Sequence, residues 1–166
     1  MATNAWMYLI TALIPLLIGA IYYHPKVLGT AWMKTNGFTE EDLSKGNMAL
    51  IFGLVYFFGI LLSVLLTNLV VHQANVGSIL MPQVLETGSQ EYKDLTDFIA
   101  KYGDRYRTFK HGMLHGGMTT IFFILPIIAI NALFERRGWK YIAIHTGYWF
   151  ITCMLIGGVL CQFLKF

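Results

Sequence analysis

The sequence predicts an all-α membrane protein: four transmembrane helices in one bundle, with short interfacial amphipathic helices in the first and second connections. Three observations predict it. The 166 residues are 56% hydrophobic and only 13% charged, where soluble domains carry about 25% charge. No Lys, Arg, Asp or Glu occurs in the windows 1–25, 46–85, 111–134 and 141–164. A bilayer span takes about 20 mostly apolar residues, and a charge at its centre costs roughly 2.5–3.5 kcal/mol. A soluble core helix would instead show a polar stripe. Third, aromatic and basic residues gather at the window ends, where they suit the interface. The length fits one domain, residues 1–166.

The first span is predicted over 4–23. Asn4, Tyr8, Thr11, Pro15, Gly19 and Tyr22 recur at helical spacing and mark the face toward the bundle. Leu9, Leu13, Leu16 and Leu17 fall largely outside that face. Pro15 lacks a backbone N–H and should kink the helix. No basic leader and no small-x-small cleavage site marks a signal peptide, so this helix is expected in the mature chain.

In the first connection, Val27, Leu28, Ala31 and Trp32 form the apolar stripe of an interfacial helix. Asn36-Gly37 reads as a turn. Thr39 reads as an N-cap with Glu40, Glu41 and Asp42 in the first turn, where the helix dipole favours acids. The second span, 49–72, is expected to begin with this polar extension. Gly59, Ser63 and Thr67 repeat every four residues and allow close helix approach. Asn68 and His72 lie on a neighbouring line.

The connection 73–108 should divide in two. Its first part is uncharged and suits the membrane surface. Its second places Tyr92, Leu95, Phe98, Ile99 and Tyr102 on one helical face, with Gly103 as a stop, and should cover one mouth of the bundle. The third span is predicted over 109–134, with Pro126 as a second kink. Glu-Arg-Arg-Gly-Trp-Lys makes a tight turn, and the fourth span follows over 139–163.

Four spans put both termini on one side. The two loops facing the other side carry Lys26, Lys34, Lys45, Arg136, Arg137 and Lys140. The termini's side carries Lys93, Lys101, Arg105, Arg107, Lys110 and Lys165, so the positive-inside count is a tie. The dense Arg136-Arg137 turn and the uncharged N-terminus favour periplasmic termini.

Tyr23, Pro25, Gly29, Trp32 and Met33 follow a Tyr-x-Pro-x-x-x-Gly-x-x-Trp-Met pattern, and Phe134 to Arg137 form a Phe-Glu-Arg-Arg turn. These stretches resemble the family of small bacterial integral membrane proteins called domain of unknown function 1761 (DUF1761). The resemblance implies a four-span protein of the bacterial inner membrane. It implies no catalytic residue.

The candidate chemistry is histidine chemistry. His111 and His115 stand four apart on one helix face, and His72 ends the preceding span on the same side. Two histidines at i and i+4 with a third from another helix can hold a metal. A histidine from each of two helices can ligate a haem. The bland alternative is interhelical hydrogen bonding, worth roughly 0.6 kcal/mol and up to 1–2. His24 and His145 belong to the opposite end, about 20 Å from His115 along the helices. Gly112 and Gly116 are expected to serve internal packing. Arg136 and Arg137 are expected to anchor at the interface, with an anionic lipid or a partner as the alternative contact. Asn131 is expected to bond His145 or Tyr148 across helices.

Several classes find no support. Basic residues form no continuous face, which leaves nucleic acid out. Cys153 and Cys161 are eight apart on one helix, about 12 Å, too far for a disulfide. There is no Ser-His-Asp or Cys-His arrangement, no phosphate loop, no paired broken helices and no acid inside a span. The leading expectation is therefore a non-enzymatic accessory or interaction subunit in the lipid bilayer, self-assembled or part of a larger complex, with no required cofactor. A haem-, metal- or small-ligand-binding bundle built on His72, His111 and His115 is the second reading. A small oligomeric transporter or channel is the third.

Overall fold

The computed structural model describes residues 4–165. The helices are α1 (Trp6–Thr11), α2 (Ile14–Tyr22), α3 (Thr30–Asn36), α4 (Glu40–Ser44), α5 (Met48–Val70), α6 (Gln73–Ile79), α7 (Gln90–Tyr102), α8 (Phe109–Thr119), α9 (Leu125–Phe134) and α10 (Trp139–Phe163). No strand occurs among the described residues. Residues 1–3 and 166 of the expected single domain lie outside the described residues.

Three helical runs are long and apolar enough to cross a membrane: Met48–Val70, Phe109–Phe134 and Trp139–Phe163. The first predicted span is less regular. It breaks at Ala12–Leu13, where α1 gives way to α2 with Pro15 in its first turn. Pro15 cannot donate to the carbonyl one turn back, so the helix restarts there. The run Trp6–Tyr22 then bends by 59° into Pro25–Asn36. Counting that bent pair as one span raises the number of spans from three to four.

The bend has a local cause. His24 is extended and its Nδ1 accepts from Lys26 N at 3.2 Å, capping a π-helical turn over Pro25–Gly29. Gly29 is required because a Cβ there would overlap the Tyr23 carbonyl. Trp32 then packs on the Tyr23 ring, with centroids 5.1 Å apart. Four residues of the Tyr-x-Pro pattern thus build one corner. Pro126 acts similarly: a π-helical turn over Thr120–Ile124 precedes α9.

The polar start is not an extension of the second span. Thr39 does cap, and its capping box with Asp42 starts α4. That helix ends at Ser44, and Asn47 caps α5 afresh by accepting from Leu50 N at 3.1 Å. Nor does the second span reach His72. Val71 is extended, and Asn75 Nδ2 donates to the freed Asn68 carbonyl at 2.7 Å, so the chain restarts as α6. α7 runs over Gln90–Tyr102 and is followed by Gly103. It packs against α6 and the 3₁₀ turn Gln83–Leu85, its last turn lies beside His72, and Tyr92 is exposed.

α10 is the central helix. It contacts α1, α2, α3, α5, α8 and α9 and carries a large share of the core, including Thr152, Cys153, Ile156, Leu160 and Cys161 at 0% exposure. Lipid tails are as apolar as leucine, so close packing and polar bonds must hold such helices together. The α8–α10 seam does this with glycine. A Cβ on Gly112 would overlap the Gly157 carbonyl, and one on Gly116 the Cys153 carbonyl. α5 meets α1 in the same way. A Cβ on Gly59 would stand 2.8 Å from the Ala12 carbonyl oxygen, and Thr11 Oγ1 donates to Ser63 Oγ at 2.9 Å. Leu9, Leu13 and Leu17 face outward, 45–61% exposed.

Candidate functional site

The site begins where three interruptions meet. α5 stops at Val70, His72 stands at the head of α6, and α8 starts after Thr108. Thr108 Oγ1 accepts from His111 N at 3.2 Å, which fixes the first turn of α8. His111 and His115 then share one face, and the glycine seam beside them sets how closely α8 approaches α10.

The three predicted histidines come together. His111 Nε2 and His72 Nε2 are 3.1 Å apart, a hydrogen bond whose donor depends on the tautomer. Ring centroids are separated by 5.2 Å for His72–His111, 4.8 Å for His72–His115 and 4.5 Å for His111–His115. One ligand nitrogen from each lies within 4.8 Å of the others, and the group holds no carboxylate or thiolate. Nitrogens about 2.1 Å from a tetrahedral ion stand roughly 3.4 Å from one another. The His72–His111 pair, at 3.1 Å, is near that spacing, and the His115 ligand atom lies within 4.8 Å of both.

The sequence did not point to the turn that supports this cluster. Tyr106 takes a left-handed backbone, φ 62°, and stacks on His111 with centroids 5.4 Å apart and planes inclined by 21°. Arg107 holds the turn in place. Its Nε donates to the Cys161 carbonyl at 2.6 Å and its other guanidinium nitrogen to the Leu164 carbonyl. The first is an end carbonyl of α10 and the second belongs to its C-cap residue; end carbonyls lack helical donors and carry the negative end of the dipole. Cys161 Sγ contacts the Val70 and Tyr106 carbonyls at 3.3 and 3.5 Å. From the other side, Gln73 Nε2 donates to the Tyr102 and Arg105 carbonyls at 3.0 and 2.7 Å. A recess of about 310 Å³ opens beside His72, bounded by Gln73, Phe98, Tyr102, Arg105 and Tyr106. The only sequence signal for Tyr106 was an aromatic five residues before His111 in a polar turn.

The other singled-out residues have separate places. Gly112, Gly116, Gly59 and Ser63 are buried at helix contacts. Arg137 donates to the Thr35 carbonyl at 3.2 Å, lies 3.6 Å from Glu135 and covers the Tyr141 ring. It thereby joins the last turn to α3, while Arg136 is exposed and left-handed at φ 56°. Asn131 does not make the expected interhelical bond. It is exposed, because the π-helical turn before α9 rotates the helix's later faces. Tyr148 instead donates to the Pro15 carbonyl at 2.9 Å, and His145 lies against Tyr141 with centroids 4.2 Å apart. His24 is a cap.

Residues 6–161 match the model of a family described as a protein of unknown function, DUF1761. No curated protein and no solved structure matches the chain.

Proposed function

We propose, from the premise that the chain belongs to the DUF1761 family, that it is a four-span membrane protein whose working part is a tri-histidine transition-metal site. The carrying observation is that His72, His111 and His115 present three imidazole nitrogens within 4.8 Å of one another, drawn from two chain segments. Three rings converge where a hydrogen-bonded pair would satisfy a structural role. Neutral imidazole suits zinc, copper, nickel and cobalt, and the absence of oxygen ligands disfavours magnesium and calcium. The protein acts without catalysis, as a metal-binding accessory component in the bacterial inner membrane.

Haem fits less well than a bare ion. Its two axial imidazoles stand on opposite sides of the iron, about 4 Å apart, with the macrocycle between them. His72 and His111 face each other at 3.1 Å, and His115 closes the third side, leaving no slot. A pore through one chain fits poorly too, since Leu66, Ile156 and Leu160 fill the helix core at 0% exposure.

The four-span reading rests on how the first helices run along α10. Asn4 Nδ2 donates to the Phe163 carbonyl at 3.0 Å, and Asn4 Oδ1 accepts from Lys165 N at 2.6 Å. Tyr22 OH donates to the Ile144 carbonyl at 3.0 Å. From Ile144 to Phe163 α10 rises about 28 Å at 1.5 Å per residue, close to the thickness of a bilayer core. α1 and α2 therefore cover the same depth, with the two termini together and, in this reading, periplasmic.

The test is a competition titration of purified protein in mild detergent with zinc and a chromophoric chelator. One ion per chain is expected, lost in His111→Ala and His115→Ala and retained in His24→Ala and His145→Ala. Equal zinc binding by all four variants would refute the site.

A further inference from the structure

The cluster leaves a bound ion short of charge. Three neutral imidazoles compensate none of the two positive charges of a divalent ion, and the group includes no carboxylate or thiolate. The stretch 101–110 that leads into the cluster adds more positive charge, with Lys101, Arg105, Arg107 and Lys110 against Asp104, while Asp97 lies one turn earlier on α7. His111 also sits in the first turn of α8, the positive end of that helix. An uncompensated charge beside an apolar bundle is costly unless a counter-ion reaches it. The recess offers the route. His72 is both a member of the cluster and part of the recess wall. Arg105 lines the same wall, with its guanidinium carbon 5.3 Å from the centre of the Tyr106 ring that stacks on His111. Charge, access and an exposed cation therefore converge on one side of the histidines.

Resting on the metal reading above, we propose that the tri-histidine site takes a small exogenous anion as its fourth ligand, entering through the recess beside His72. The ligand class is a small carboxylate or an inorganic anion. The recess, about 310 Å³, is at the lower end of ligand pockets and is large enough for such an ion. Three protein ligands with one position open to an outside group is the arrangement of reactive zinc sites, whereas purely structural sites are closed by four. Arg105 positions the anion by charge and contributes no metal ligand.

The experiment uses the full chain in detergent loaded with Co²⁺, whose visible bands report its coordination. Sodium azide and sodium acetate are titrated in turn at constant ionic strength. A saturable band shift is expected with at least one of them. Arg105→Gln should weaken that anion by up to about fivefold, as expected for an exposed charge, while Co²⁺ affinity stays unchanged. Stoichiometric Co²⁺ whose spectrum ignores both anions overturns the open position and leaves the metal site standing. Equal anion affinity in Arg105→Gln removes the role of the recess. Failure to bind Co²⁺ at all overturns the metal reading itself, and this inference with it.

Discussion

Gly112→Ala should destabilise the protein although it adds one methyl to a helix that glycine disfavours. In an unconstrained helix interior the change gains about 0.8–1.0 kcal/mol. At this seam the new Cβ would overlap the Gly157 carbonyl and lie 2.5 Å from the Cys161 Cβ. Ordinary C···O contacts begin near about 3.3 Å, so α8 and α10 must separate by on the order of 1 Å. A gap of that size forfeits roughly a quarter to a half of each dispersion contact along the seam. Overpacking of this kind typically costs about 1–3 kcal/mol, which exceeds the propensity gain. The expected net loss is about 1–2 kcal/mol. Gly53→Ala is the control, because a Cβ there meets nothing within 4 Å; it should be neutral or stabilising. The assay is unfolding in mixed micelles by titration with sodium dodecyl sulfate, followed by tryptophan fluorescence and circular dichroism. Zinc affinity should fall in Gly112→Ala as well, since the seam sets the position of His111 and His115. Wild-type stability in Gly112→Ala, or an equal loss in Gly53→Ala, would refute the close-packing argument.

Other perturbations follow from the same contacts. Arg107→Ala leaves the Cys161 and Leu164 carbonyls without their charged donor, and a loss of about 1.5–3 kcal/mol is expected in the same unfolding titration. Arg107→Lys should recover part of it, and full recovery would count against the forked contact. Thr11→Val removes the buried bond to Ser63 Oγ and should cost about 0.6–1.7 kcal/mol, with no change in zinc affinity. Both cysteines are buried, so a maleimide should label them only on unfolding; prompt labelling in mild detergent would contradict the packing of α10. Thr39 bonds hold the Asp42 carboxyl below its ordinary range. A carboxylate favoured in the folded state supports the capping box above its unfolded pKa. That support fades as pH falls through the lowered folded value, which NMR shifts of α4 would follow.

The long helices were legible because a span must be free of charge, and that is a property of composition. Met48–Val70 and Trp139–Phe163 fall within two residues of the expected ends. The histidine cluster was legible in part, because the i, i+4 pair fixes its own face and His72 enters from the same side. Tyr106, Arg105 and Arg107 were not, since their roles depend on a left-handed turn whose shape no periodicity encodes. Asn131 was misplaced for a related reason. Its depth was matched to His145 and Tyr148 without fixing its face, and the π-helical turn Thr120–Ile124 shifts the register before it. The kink at Pro15 was legible, because proline lacks the N–H of a helix interior, but the 59° bend between Trp6–Tyr22 and Pro25–Asn36 was not, since it depends on the His24 cap and the π-helical turn that follows. The central position of α10 could not be read either, as its glycines mark close contact without naming the partner.

X-ray absorption at the zinc edge of the loaded protein tests the central claim most directly. The account predicts one zinc per chain, with multiple-scattering signatures of three imidazoles, nitrogen at about 2.0–2.1 Å and no sulfur. Each of His72→Ala, His111→Ala and His115→Ala should reduce that imidazole count or release the metal. Sulfur scattering near about 2.3 Å, a shell of oxygens alone, or no stoichiometric metal would contradict it.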